Sequence, residues 1–316
     1  MQPLTAIDLF AGGGGFTTAA CQAGIKVLWA ANHYAPAVAC HKANHPDVPM
    51  DNANLREYDF TRLPNFDILI ASPCCQGFSR ARGKDSAAHD ASRATCFSVV
   101  DAMIAKRPRA IVIENVEEIR SWGARGTWDG SHYKAWLGFF TREGYHITET
   151  VINAADAGVP QERPRLFITM IHDSVQNKPH PIPQPHFSHV GADSFLDWSA
   201  PMTPVVGHCE RTLEKVAYSK RRLGETFLLS YYGNTVLGRP ITEPLGVVTV
   251  KSRWALIHRG NMRMLSPAEL RAAMGFPSWY ALPKNQAVAT HLLGNAVCPP
   301  AAAWVLREAT MPLTAA

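Results

Sequence analysis

A cysteine pair, a glutamate that ends an apolar run and two closely spaced arginines are the residues of this chain best suited to covalent catalysis. Cys75 stands in Ala71-Ser72-Pro73-Cys74-Cys75-Gln76-Gly77-Phe78-Ser79, directly after a run that reads as a buried strand. In an open α/β sheet that position is the carboxyl edge, where ligands bind. Flanking Pro, Gln, Gly and Ser keep such a cysteine accessible, and Arg80, Arg82 and Lys84 favour its thiolate over a free pKa of about 8.5. A second run, Ala110-Ile111-Val112-Ile113, carries Glu114-Asn115-Val116 to the same edge. A carboxylate there is costly unless it is paired or bonded to a ligand. Gln161-Glu162-Arg163-Pro164-Arg165 places two guanidiniums at the start of the next apolar run, where they can meet acids or phosphate. Taken singly, each has a plainer alternative: an inert turn cysteine, or a glutamate that anchors a loop.

Asp8-Leu9-Phe10-Ala11-Gly12-Gly13-Gly14-Gly15-Phe16 ends the first strand-like run and opens a helix. Glycines there let a backbone approach a ligand closely, which suits a nucleoside cofactor. The run does not match G-x-G-x-x-G, and some 20 residues past Gly12 stand Asn32-His33 instead of the acid that holds ribose hydroxyls in dinucleotide enzymes. A tight turn without a ligand stays open. Thiol, carboxyl and guanidinium together fit one demanding reaction. Carbon 5 of cytosine is too electron-poor to attack a sulfonium methyl group. A thiolate added at carbon 6 turns it into an enamine; a carboxyl group at N3 and N4 neutralises ring charge, and an arginine at O2 orients the base.

The elements that must position these residues alternate. Short apolar runs predict strands over 5–10, 26–31, 66–71, 110–114, 146–153 and 166–171, with helices over 17–23, 35–44 and 92–104. This is the pattern of a doubly wound, Rossmann-like α/β sheet. Residues 178–186 are too rich in proline for helix or central strand and read as an extended connector. The domain boundary is placed at 174. From about 193 to 257 the pattern is weak and predicts a smaller, loop-rich lobe; helical spacing returns over 292–309.

Composition narrows the setting. The chain has 316 residues, 47% of them hydrophobic and 18% charged, and no apolar run long enough for a membrane helix. The first residues, Met1-Gln2-Pro3-Leu4, lack the features of a secretory signal, so a cytoplasmic protein is expected. Seven cysteines without paired spacing argue against a disulfide framework or a zinc site, and no metal is expected. A net charge of +5 is compatible with a polyanionic partner without establishing one. The thirteen histidines are scattered, and His180, His186 and His189 in the connector read as solvated.

With these motifs in view, the chain resembles the bacterial cytosine-C5 DNA methyltransferases, in the family's motif order from Ile7 to Pro300. Asp8–Phe16 looks like the cofactor loop, Cys75-Gln76-Gly77-Phe78-Ser79 like the nucleophile loop, Glu114-Asn115-Val116 like the base-binding motif and Gln161-x-Arg163-x-Arg165 like the paired-arginine motif. Arg263–Arg271 with Met274-Gly275-Phe276-Pro277, and Gly294-Asn295-Ala296-Val297-Cys298-Pro299, look like the last two.

The resemblance implies a catalytic domain over 1–173, completed by 290–316, with a target-recognition domain over 174–289. It implies Cys75 as nucleophile, with Glu114, Arg163 and Arg165 as its catalytic partners, and S-adenosylmethionine as methyl donor. Phe10, Ala11, Gly12, Gly14, Gly15, Asn32, His33, Asn54, Pro73, Asn295 and Ala296 would hold that cofactor. The partner implied is double-stranded DNA whose target cytosine is flipped from the stack. A monomer without membrane association is expected, and a cognate restriction endonuclease would accompany it in a restriction-modification setting.

The chain departs from the family at three points. Cys74 replaces the usual proline before the nucleophile and is the second candidate for that role, His33 replaces the ribose-binding acid, and Asn54 replaces the acid at the adenine amine. An RNA cytosine-C5 methyltransferase acting on transfer RNA, a non-catalytic DNA-binding regulator of the same fold and a nicotinamide-linked oxidoreductase are the competing readings.

Overall fold

The computed structural model describes residues 2–74, 77–78, 86–124, 127–177, 179–231 and 235–314. Its chain divides into two compact units. The first comprises Met1–Asn153, Pro164–Pro185 and Ala296–Ala316; the second comprises Ala154–Arg163 and His186–Asn295.

The first unit is built on a seven-stranded sheet. Its strands are β1 (Thr5–Leu9), β2 (Lys26–Asn32), β3 (Met50–Asn52), β4 (Ile68–Ala71), β5 (Ala110–Asn115), β6 (Tyr145–Asn153) and β7 (Pro164–His172), in the order β3-β2-β1-β4-β5-β7-β6. The first five in sequence pair in parallel, and β7 runs antiparallel to both β5 and β6. Ile68, Leu69, Ile70 and Ala71 are all fully buried. A strand buried on both faces has no alternation to show, which is why its sequence is a continuous apolar run.

Helices α1 (Gly15–Gln22), α2 (Ala35–Asn44), α3 (Ala87–Arg93), α4 (Phe97–Lys106), α5 (Ser131–Arg142) and α9 (Pro299–Thr314) complete this unit. Helix α9 packs against α1, where the Arg307 guanidinium donates to the Gln22 carbonyl at 2.9 Å. The proline-rich stretch is held to the same unit: Trp304 Nε1 donates to the Pro183 carbonyl and Gln184 Nε2 to that of Val151.

The second unit holds a four-stranded antiparallel sheet of β8 (Thr203–Pro204), β9 (Thr226–Ser230), β10 (Trp254–His258) and β11 (Asn261–Met264), ordered β8-β11-β10-β9. Helix α6 (Glu210–Leu223) packs Leu213, Val216 and Leu223 on Phe227, Leu229 and Ile257. The lobe expected to be loop-rich therefore also contains a 14-residue helix. Helices α7 (Pro267–Ala273) and α8 (Gln286–Asn295) follow. Ser266 and Glu269 form a capping box at the start of α7, and Glu269 also takes both terminal nitrogens of Arg263 at 2.6 and 2.8 Å. This buried, two-pronged pair locks β11 to α7.

Candidate active site

Strand β1 ends at Leu9, and the chain turns over a glycine loop into α1. Phe10 takes φ 60°, Gly12 56° and Gly14 103°. A Cβ at Gly12 would meet nothing within 4 Å, so this side of the loop is open to a ligand. At Gly14 it would lie 2.8 Å from His45 Cδ2, so only glycine fits. The neighbouring strand end is tied in, since Ala11 N donates to Ala31 O at 3.0 Å. Asn32 Oδ1 accepts from Tyr34 N at 2.9 Å, and His33 is exposed. The Asn54 amide is committed locally: its oxygen accepts from Arg56 N and its nitrogen donates to Glu57 Oε1 at 2.8 Å.

Beneath the loop lies a polar cluster with no solvent contact. Asp8 Oδ2 accepts from Thr17 Oγ1 at 2.7 Å, and Thr17 Oγ1 lies 3.0 Å from His41 Nε2. Burial raises the Asp8 carboxyl from 3.8 to about 7 against the opposing bonds from Thr17. Burial, and then the nearby His45, lowers His41 from 6.5 to about 3.

The two shifts have opposite consequences for stability. Between pH 3.8 and 6.5 the folded state keeps a proton on Asp8 that the unfolded chain has lost, so stability falls as pH rises. Over the same interval the unfolded chain protonates His41 and the folded one does not, so stability rises with pH. Each slope is about 1.4 kcal/mol per pH unit, and they offset one another. Asp8→Asn is expected to leave stability rising with pH across this window, and His41→Gln to leave it falling. Urea unfolding of both variants at pH 4.5 and 6.5 checks the signs.

The segment leading to Cys74 is clamped from both sides. Ser72 N donates to Leu9 O at 3.2 Å and Ser72 Oγ to Phe10 O at 3.3 Å. On the other side, Asn115 Nδ2 donates to Pro73 O at 3.0 Å. Cys74 is a free, half-buried thiol. Cys75, Gln76, Arg80, Arg82, Gly83 and Lys84 lie outside the described residues.

The chain is held at Gly77 and Phe78, within this stretch. Arg93 Nε donates to Gly77 O at 3.0 Å, the same guanidinium pairs with Asp90 and faces the Trp128 ring, and Phe78 is fully buried. Sequence reasoning missed this buried arginine. A lone cation in a helical run carries no signal that separates it from a solvated one.

Glu114, nearly buried at the end of β5, meets Arg165 near the start of β7, with Nε 3.1 Å from Oε1. Arg163 is placed differently. It is buried in the second unit, where its two terminal nitrogens donate to the carbonyls of Val248 and Gly294 at 3.0 and 2.9 Å. Asn295 closes α8 with its amide 3.1 Å from His291 Nε2, and Ala296 begins the last segment of the first unit. The structure thus brings Phe10, Ser72, Pro73, Glu114, Asn115 and Arg165 together within the first unit.

The family model for C-5 cytosine-specific DNA methylases matches residues 4–197 and 206–310. The chain belongs to this family. Among its relatives, the Type II methyltransferase M.HpaII of Haemophilus parainfluenzae is 28% identical over 95% of this chain and 87% of the relative. M.NlaX of Neisseria lactamica is 27% identical over 98% and 97%. In fold, the chain is similar to a crystal structure of a Spodoptera frugiperda DNMT2 mutant, with a TM-score of 0.71 and 17% identity over 97% of this chain and 99% of that one. No helix among the described residues is long and apolar enough to cross a membrane. As a member of the family, the chain is a DNA cytosine-C5 methyltransferase.

Proposed function

We propose that the reaction runs through Cys75, with Glu114 and Arg165 binding the base and S-adenosylmethionine held at the glycine loop. The observation that carries this reading is the arrangement at the end of β5: Glu114 pairs with Arg165, while the adjacent Asn115 holds Pro73, two residues before Cys75. The Cys75 thiolate adds to carbon 6 of an extrahelical cytosine. Glu114 bonds to N3 and N4 and offsets the charge that enters the ring; Arg165, oriented by Glu114, reaches O2. When bound, S-adenosylmethionine supplies an electrophilic methyl group to carbon 5. Loss of the carbon 5 proton to a base then expels the thiolate and restores the ring.

The residues fit that cofactor. The loop over 10–15 is open at Gly12, and it is bonded through Ala11 N to Ala31 O, next to Asn32 at the end of β2. The Asn54 amide is engaged by Arg56 and Glu57, so adenine recognition is assigned to the loop and the β2 end. Arg163 is assigned to the second unit, where it ties Val248 to Gly294. That unit is assigned target recognition. Exposed Arg211, Arg221 and Arg222 on α6, with Arg222 stacked on Tyr218 at 3.7 Å, suit contact with phosphates. The protein acts as a monomer, and a restriction endonuclease is its natural counterpart.

The test is methylation of plasmid DNA by the purified protein, read by bisulfite sequencing, beside methyl incorporation into transfer RNA. The expected result is 5-methylcytosine at one position of a fixed DNA sequence. Incorporation into transfer RNA alone, or into neither, would overturn the proposal.

A further inference from the structure

Two imidazoles under the glycine loop take no part in the proposed reaction. His41, on the last turn of α2, and His45, which closes that helix, lie 5.0 Å apart ring to ring. Both are buried, and both reach the first turn of α1 through adjacent threonines.

Proton counting fixes the direction of one contact. Thr18 Oγ1 has a single hydrogen, which it donates to the Gly14 carbonyl at 2.7 Å. The 3.0 Å contact between Thr18 Oγ1 and His45 Nε2 must then be donated by the imidazole. The Gly14 carbonyl also receives Thr18 N at 2.8 Å, and Gly14 N donates to Ala11 O at 2.9 Å. Steric contact adds to these bonds. A Cβ on Gly14 would sit 2.8 Å from His45 Cδ2 and 3.1 Å from His41 Cδ2, so both rings fill the space a side chain would need beside the glycine, which holds a left-handed φ of 103°.

Helix α2 starts three residues after Asn32, at the end of β2. The histidines on its far end therefore join the two segments assigned to the cofactor, the glycine loop and the β2 terminus.

We propose that His45, backed by His41, is a positioning residue that braces Gly14 and thereby holds the loop over 11–14 in the shape that receives S-adenosylmethionine. The inference rests on the cofactor reading above. A loop shaped in advance loses less conformational freedom on binding, so the brace acts on cofactor affinity more than on chemistry.

The experiment is calorimetric titration of S-adenosylmethionine into the wild-type chain and into His45→Leu, His45→Gln, Thr18→Val and Thr18→Ser, with KM and kcat measured at saturating DNA. His45→Leu and Thr18→Val are expected to weaken binding about tenfold, the size of one lost buried hydrogen bond. KM for the cofactor rises more than kcat falls. Gln keeps an N–H donor and Ser keeps the hydroxyl, so both are expected to restore most of the affinity, which a purely steric role would not allow. The double variant His45→Leu with Thr18→Val is expected to lose little more than either alone. Thr18→Val is nearly isosteric and carries the test should His45→Leu fail to fold.

Wild-type binding with both disruptive variants within about twofold of it overturns the brace. A wild-type chain that binds no S-adenosylmethionine overturns the cofactor reading and the inference with it.

Discussion

Cys75→Ala is expected to lower methyl transfer to DNA by on the order of 10⁴-fold or more, the scale on which removal of a covalent nucleophile silences other enzymes. Without addition at carbon 6 the ring has no route to an enamine, and a cofactor with an alkylating methyl group finds no partner. Cys74→Ser is expected to keep most of the activity, because Cys74 is a half-buried thiol on the clamped segment that follows Pro73. The comparison therefore decides which of the two adjacent thiols reacts. A covalent adduct with DNA carrying 5-fluorocytosine at the target position should form with wild type and Cys74→Ser and be absent from Cys75→Ala. Turnover that survives in Cys75→Ala would end the covalent mechanism.

Glu114→Gln is the second large effect, expected at about 10²–10³-fold in kcat. Glutamine keeps the shape and can still accept the Arg165 Nε–H bond seen at 3.1 Å. It cannot place negative charge or a transferable proton at N3 of the base. The loss should appear in single-turnover rate with little change in DNA affinity, because the interaction strengthens only as charge enters the ring. Arg165→Ala would behave differently: it removes the cation paired with a nearly buried carboxylate, so a lower unfolding midpoint should accompany lost activity. If Glu114→Gln weakened DNA binding and left the single-turnover rate intact, the carboxyl would be a ground-state contact.

Much of this was legible in the sequence for a definite reason. Strands β1, β4 and β5 are buried and mostly apolar, and each ends at or beside a chemically distinctive segment. Helix boundaries were harder to read. The helix expected over 92–104 tightens into a 3-10 turn over Ala94–Cys96, where the Thr95 hydroxyl donates back to Ser92 O at 2.7 Å, and α4 proper starts at Phe97. The helical stretch expected over 292–309 is two helices, since Pro299 and Pro300 lack an N–H and begin α9 instead of continuing α8.

Helix α5 was not among the helices expected from the sequence, although Tyr133, Trp136 and Phe140, all buried, form a stripe at helical spacing. In helix α6 the stripe is harder to read, because its buried face includes Thr212 and Ser219. The site was legible residue by residue but not in its pairings. Nothing local connects Glu114 to Arg165, Asn115 to Pro73, or Asp8 to a histidine 33 positions on. Nor could spacing reveal that the Arg163 guanidinium is taken up by backbone carbonyls in the second unit.

The reversed polarity of β7 bears directly on where a guanidinium can act. Strands β1 to β4, all parallel to β5, deliver their final residues to the same rim as its end and their first residues to the opposite one, roughly 20 Å away for a six-residue strand. Because β7 enters from the reactive rim, a side chain on its second residue arrives beside the last carboxylate of β5. Flipping that one strand would separate the Glu114 carboxylate from the Arg165 guanidinium by about the length of the strand and undo the 3.1 Å pair.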